Sequence, residues 1–353
     1  MGWAGWISTS AQRETSSCAL FTPFASAKVG LMKKIVMAGL ALSFAAGALA
    51  QNHHAQAPTD PFRLQPLSGG VYALYGRGGN VAFLVGPEAV LVVDSQFRDL
   101  APGIVEKIMS VSDKPIKYLV NTHHHPDHVG GNEVFKQFAI IVAHDNVRKR
   151  MLASPAEILK DYPARAEAAR KSGNAEFAGR IEEMIAWAKK VRVEEIPAPF
   201  VTFDTDLRIY VGGETVHIWH TPPAHTDGDS VVYFEKAKVL HMGDLRFNKV
   251  IPVIDVKGGG TPKGYLLALD SILARLEPGV TIVPGHGEVT DAAGVRTFRQ
   301  YIFDLTELAK SAKAAGKTRE AFVAEADLPA YKDWNGYPQR LKENAGAAWD
   351  ESK

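Results

Sequence analysis

The chain has 353 residues, enough for one large domain or two ordinary ones, and its 46% hydrophobic and 22% charged content excludes intrinsic disorder and collagen-like repeats. Its 40 Lys and Arg balance 39 Asp and Glu, so no basic excess is available to neutralise a phosphate backbone, and nucleic acid is not an expected partner. The single cysteine, Cys18, permits neither a disulfide framework nor a cysteine zinc cluster, so any metal must be held by His, Asp or Glu.

Met32-Lys33-Lys34, the short apolar run that follows and Ala48-Leu49-Ala50 predict a signal peptide cleaved before Gln51. The run is shorter than the ~20 residues of a membrane-spanning helix. Residues 1–31 are expected to be an upstream extension, with translation starting at Met32. The mature chain is therefore expected to be periplasmic or secreted and free of the membrane once cleaved. Residues 51–65, polar at first and carrying His53 and His54, are read as a flexible leader to a domain spanning 66–353.

Val71–Tyr75, Val81–Val85 and residues 90–94 are β-branched or aromatic runs punctuated by Gly and Pro, which predicts strands. Ile104, Ile108 and Val111 follow at helical spacing, and Ile116–Val120 reads as a buried strand entering Asn121-Thr122-His123-His124-His125-Pro126-Asp127-His128. A helical insertion is predicted over 154–191, with Phe177, Ile181, Met184 and Ala188 on one face. Residues 230–235 and 239–242 then form a hairpin leading to Asp244. Leu266, Leu269, Leu273 and Leu276 mark a helix, and residues 280–283 a strand that runs into Pro284-Gly285-His286-Gly287. Hairpin, aspartate, helix, strand, histidine occurs twice in this order. Two β-rich halves with helices outside predict sheet packed on sheet, flanked by helices. A C-terminal helical tail is expected over 295–353, opening with the stripe Phe298, Ile302, Leu305 and Leu308.

His123, His125, Asp127 and His128 place four ligand-type side chains within six positions, directly after an apolar strand. A loop there lets alternate side chains converge, and imidazoles with a carboxylate suit zinc where thiolates are absent. Burying four polar groups beside a core strand needs compensation, which favours ligation over a merely solubilising turn.

The HxHxDH motif, His225 in Ala224-His225-Thr226-Asp227-Gly228-Asp229-Ser230, Asp244 in Met242-Gly243-Asp244 and His286 in Pro284-Gly285-His286-Gly287 together resemble the metallo-β-lactamase superfamily, over roughly residues 70–287. The resemblance implies an α+β fold, a four-layer αββα sandwich. It implies one zinc on His123, His125 and His225, a second on Asp127, His128 and His286, and Asp244 bridging the two Zn2+. A shared hydroxide would attack a carbonyl carbon, with Asp127 as the catalytic residue that orients it. Asp94 matches Asp244 in the repeat and is expected to accept a hydrogen bond from a ligand histidine. His124, His220 and His241 are expected to be structural, His144 to end a strand, and Gly258-Gly259-Gly260 to form a mobile loop beside the metals.

Asp244 stands where one zinc β-lactamase subclass has a cysteine ligand, and Phe247 where that subclass has a lysine that grips the substrate carboxylate. Arg246 or Lys249 is expected to substitute. His125 replaces the glutamate of the diiron oxidoreductases, which disfavours that branch. The resulting expectation is a zinc-dependent hydrolase acting on a small molecule, a β-lactam or related cyclic amide. The alternatives are a lactone or thioester hydrolase resembling glyoxalase II, and a persulfide dioxygenase using one Fe2+. Export favours β-lactams and lactones, which meet a cell from outside, over glutathione thioesters.

Overall fold

The computed structural model describes residues 60–352. The expected upstream extension, the signal peptide and the leader as far as Thr59 lie outside the described residues. The described chain builds two sheets. The first has seven strands in sequence order: β1 (Arg63–Pro66), β2 (Val71–Tyr75), β3 (Val81–Val85), β4 (Val90–Val93), β5 (Ile116–Val120), β6 (Ile140–His144) and β7 (Val201–Phe203). Pairing is antiparallel from β1 to β4 and parallel from β4 to β7. The second sheet, made of β8 (Asp206–Val211), β9 (Glu214–His220), β10 (Ser230–Phe234), β11 (Val239–His241) and β12 (Thr281–Val283), is antiparallel except for the β11–β12 pair.

Each parallel pair needs a crossover, and helices supply it. α1 (Ala101–Met109) joins β4 to β5, α2 (Pro126–Val129) and α3 (Asn132–Phe135) join β5 to β6, and α4 (Asp145–Lys171) with α5 (Ala175–Ala188) joins β6 to β7. α6 (Pro262–Arg275) joins β11 to β12, and α7 (Ala292–Ala314), α8 (Arg319–Glu325) and α9 (Gln339–Glu351) follow.

Strand β4 shows why the central runs are apolar throughout. Leu91 and Val93 face the other sheet, meeting Val216, Ile218, Val232 and Phe234, whereas Val90 and Val92 face Ile104 and Ile108 of α1. Both faces of the strand are covered, so no position can be polar. The outer face of the second sheet, through Val231, Leu240 and Ile282, packs on α6, α7 and α9. The layers are helix, sheet, sheet, helix, as expected. The two halves also share a connectivity: an antiparallel hairpin (β3–β4 or β10–β11), a helix, then a strand parallel to the hairpin's second member.

Three boundaries differ from the sequence reading. Residues 63–65, expected in the flexible leader, belong to β1, where Arg63 pairs with Tyr75 and Leu64 with Leu74. The helical insertion begins at Asp145 because α4 runs directly off β6, with His144 as its N-cap accepting from the Asn146 amide, and it absorbs both Pro155 and Pro163. Strand β6 ends at His144 as expected, whereas β7 to β9 have no counterpart in the sequence reading.

Candidate metal centre

The centre lies where strand ends from both sheets meet. The loop after β5 delivers His123 and His125, and α2 turns Asp127 and His128 back toward them. The β9–β10 loop brings His225, a short turn after β11 brings Asp244, and the end of β12 leads to His286. The seven fall into two groups, His123–His125–His225–Asp244 and Asp127–His128–His286, each with donor atoms within 4.8 Å of one another.

Asp244 is shared between them. Its Oδ2 lies 3.3 Å from His225 Nε2 and 3.8 Å from His123 Nε2, while its Oδ1 lies 3.2 Å from His128 Nε2 and 3.4 Å from His286 Nε2. Asp127 Oδ2 is 3.3 Å from His286 Nε2 and 3.7 Å from His128 Nε2. Four donors at 2.0–2.1 Å around a tetrahedral ion stand ~3.3 Å apart, so these spacings suit one small cation per group.

Contacts on the far side of four of the five rings decide which nitrogen faces inward. His123 Nδ1 contacts Thr122 Oγ1 (3.0 Å), which itself donates to Asp94; His125 Nε2 donates to Asp255 (3.0 Å), His128 Nδ1 to Asp94 (2.7 Å) and His225 Nδ1 to the Val253 carbonyl (2.7 Å). With those nitrogens engaged, the others are left as ligands. His125 Nδ1 and His225 Nε2 thus face each other at 2.8 Å, an arrangement that calls for positive charge beside them. His123 Nε2, His128 Nε2 and Asp244 Oδ1 are buried without a hydrogen-bond partner. Such orphans cost ~1–3 kcal/mol each, and three in one place fit a bound cation.

Burial, reinforced by His128, holds the His123 imidazole well below its ordinary pKa, and burial pushes His225 down to about 4. In the second group burial is outweighed. Asp244, Asp127 and Asp94 raise His128 well above its usual value, and Asp244 with Asp127 raises His286 to about 9. Against the same burial, His286, His128 and His225 hold Asp244 well below the carboxylate range. Burial thus favours the neutral form of His123 and His225, whereas His128 and His286 hold protons where the carboxylates demand positive charge. The backbone comes equally close: a Cβ on Gly79 would stand 2.2 Å from the His128 ring, and one on Gly285 2.0 Å from Asp244 Oδ1.

Asp94 takes the expected place behind His128, fully buried, with its other oxygen accepting from the Thr122 amide at 2.8 Å. Arg246 does not take its expected place. The turn at Gly243–Leu245 sends it toward α7, where it is 2% exposed, lies over the Phe298 ring at 5.2 Å and donates to Asn248. It cannot grip a substrate from there. Lys249 is exposed, in the left-handed backbone region at φ 56°. His241 bonds the Asn80 carbonyl and the Gly243 amide, and His220 bonds the Asp229 carbonyl and stacks on His144 at 3.7 Å, so both are structural. His124 points toward Asp255 at 4.0 Å rather than into the centre. The triple glycine, expected to be mobile, is tied down: Gly258 to Asp255 Oδ1, Gly259 to the Val256 carbonyl and Gly260 to the Asp255 carbonyl.

Two carboxylates escaped the sequence reading. Asp255 orients His125, while Asp229 accepts from the amides of His225 (2.7 Å) and Thr226 (2.9 Å), and burial raises it to about 7. Asp229 lies inside the motif that contains His225, a signal that was available. Asp255 has none beyond its position before the glycines.

A sequence model of the Metallo-beta-lactamase superfamily matches residues 74–286. An uncharacterized protein of Aquifex aeolicus (strain VF5) is 28% identical over 229 residues, which cover 63% of this chain and 95% of that protein. The linear primary-alkylsulfatase of Pseudomonas sp. (strain ATCC 19151) is 22% identical over 287 residues, 74% of this chain but only 52% of the sulfatase. A solved metallo-beta-lactamase from Pontibacter korlensis superposes with a TM-score of 0.50 at 18% identity, covering 68% of this chain and 98% of that one, a likeness of fold alone.

Proposed function

The chain belongs to the metallo-β-lactamase superfamily, and from that premise we propose that it is an exported two-metal hydrolase of small molecules, with a β-lactam or related cyclic amide as the leading substrate class. The observation that carries this reading is the placement of Asp244, with one oxygen toward each group of donors. Bound there, two divalent ions, taken to be zinc, would polarise the scissile group and bring the pKa of water toward neutrality.

The chain's own residues supply the rest. His123, His125 and His225 each turn one ring nitrogen toward the centre, with their orientation fixed from behind. Asp94 holds His128 in the same way. Of the two carboxylates in the centre, Asp127 is the more open, its side chain 24% exposed against 5% for Asp244. His128 and His286 keep it ionised against the effect of burial. In this reading Asp127 orients an attacking water, and Phe247 backs the His286 ring at 5.2 Å.

The test is elemental analysis of protein purified without added metal, run beside a panel of β-lactams, lactones, thioesters and sulfate esters. Two zinc ions per chain and turnover of a β-lactam are expected. One iron without zinc would overturn the reading in favour of the persulfide dioxygenase. A second reading, sulfate-ester hydrolysis, is favoured by the alkylsulfatase that aligns with 74% of this chain, and turnover confined to sulfate esters would select it.

A further inference from the structure

Helix α4 meets two loops of the centre, with Arg150 at the middle of the seam. Arg150 donates from Nε and Nη2 to the two oxygens of Asp227 at 3.2 and 2.7 Å, and from Nη1 to the Lys257 carbonyl at 3.0 Å. Both charged side chains are 23% exposed, and a two-pronged pair of this kind is stronger and more directional than an exposed ion pair. Its acceptors belong to two different loops. Asp227 lies two residues beyond His225, and Lys257 two beyond Asp255. The loops are themselves joined, the Asp227 amide to the Gly258 carbonyl (2.8 Å) and the Asp255 amide to the His225 carbonyl (3.0 Å). The 225 loop carries His225, whereas the 255 loop accepts from His225 Nδ1 at Val253 and from His125 Nε2 at Asp255. Asn146 to the Asp227 carbonyl (2.9 Å) and Lys257 to Asp161 (2.7 Å) extend the seam along α4. Val147 and Met151 anchor the helix in a buried cluster with Val129, Ala143 and Ile196.

We propose that Arg150 is a positioning residue for the His123–His125–His225 group: it clamps the two loops that aim His225 and His125, and so makes the α4–α5 insertion part of the metal centre. His128 and His286 are aimed by Asp94, Phe247 and the β12 end, which Arg150 does not touch, so its influence is confined to one group. The inference rests on the two-metal reading above.

The test uses the full mature protein as wild type, Arg150→Ala, Arg150→Lys, Asp227→Asn and the control Arg148→Ala, whose parent side chain bonds the Pro199 carbonyl away from these loops. Zinc affinity is measured by competition with a chromophoric chelator, the occupancy of each group by anomalous scattering at the zinc edge, and unfolding temperature on metal-free protein. Arg150→Ala is expected to weaken zinc at the first group about 10- to 100-fold, the range for loss of an outer partner, while the second group stays within about threefold. Arg150→Lys should recover part of this loss, since an ammonium can pair with Asp227 without spanning to Lys257. Asp227→Asn should resemble Arg150→Ala, Arg148→Ala should resemble wild type, and metal-free unfolding temperatures should match. Wild-type affinity in both Arg150→Ala and Asp227→Asn overturns the proposal and leaves the two-metal reading intact. Equal loss at both groups with a lower metal-free unfolding temperature also overturns it, as general destabilisation. Wild-type protein that binds no zinc overturns both.

Discussion

Asp244 carries more of the centre than any other side chain, because among the described residues it alone faces both donor groups. Asp244→Ala removes a negative charge from between them and a ligand from each. The second group should then lose metal first, since it keeps only Asp127 and two imidazoles while the first keeps three imidazoles, two of them held neutral by burial. Activity is expected to fall by orders of magnitude, with zinc per chain dropping from two toward one by elemental analysis. Asp244→Cys supplies a thiolate, a ligand zinc accepts readily, and should retain more metal than the alanine variant. Unchanged zinc content and near-normal turnover in Asp244→Ala would reduce Asp244 to a strand-end residue. Asp94 performs a related service from outside. It sits at φ 63°, a region that Asp tolerates better than most residues, and this conformation lets its two oxygens serve His128 and Thr122 together.

At the scale of elements, the β2–β3 connection shows how closely backbone is packed on the centre. The Gly79 amide donates to the Asp127 carbonyl at 3.0 Å, the Asn80 amide to Gly285 at 2.7 Å, and Asn80 Nδ2 to the carbonyls of Pro284 and Gly287. The connection straps Asp127 to the His286 loop across the gap between the sheets. Gly79→Ala puts a methyl 2.2 Å from the His128 ring, and neither ring nor loop can yield without breaking these bonds. The expected outcome is loss of metal from the Asp127–His128–His286 group with circular dichroism unchanged. A variant that keeps two zinc ions and full activity would show that the strap gives way freely. The α4–α5 insertion acts similarly from the other flank, which makes it more than a helical ornament.

For the whole molecule, ligands drawn from both sheets mean that metal binding joins the two halves of the sandwich. An ion that binds only the folded chain stabilises it by mass action, about 4 kcal/mol at a free concentration a thousandfold above its dissociation constant. Removing bound metal with a strong chelator should therefore lower the unfolding temperature, and readdition should restore it. An unfolding temperature indifferent to metal that has demonstrably been stripped would mean that core packing alone, through side chains such as Leu91, Val93, Ile218 and Phe234 between the sheets, holds the halves together.

The sequence by itself determined the candidate ligands and the layer order, because both are written locally. Histidines spaced two apart after an apolar strand converge wherever the strand is placed, and strands buried on both faces must be apolar without a break. It also carried the repeated hairpin–helix–strand order, and Asp94 through its correspondence with Asp244. What only the tertiary structure decided depends on packing between distant segments. Asp255 reaches His125 across 130 residues. Arg150 meets two loops with no sequence signature, and β1 forms because Leu64 finds Leu74. Arg246, charged and close in sequence to Asp244, turns inward onto Phe298 because the short turn at Gly243–Leu245 carries the chain toward α7. A motif specifies which atoms are available, but the direction in which each side chain points is set by whatever the rest of the fold packs against it.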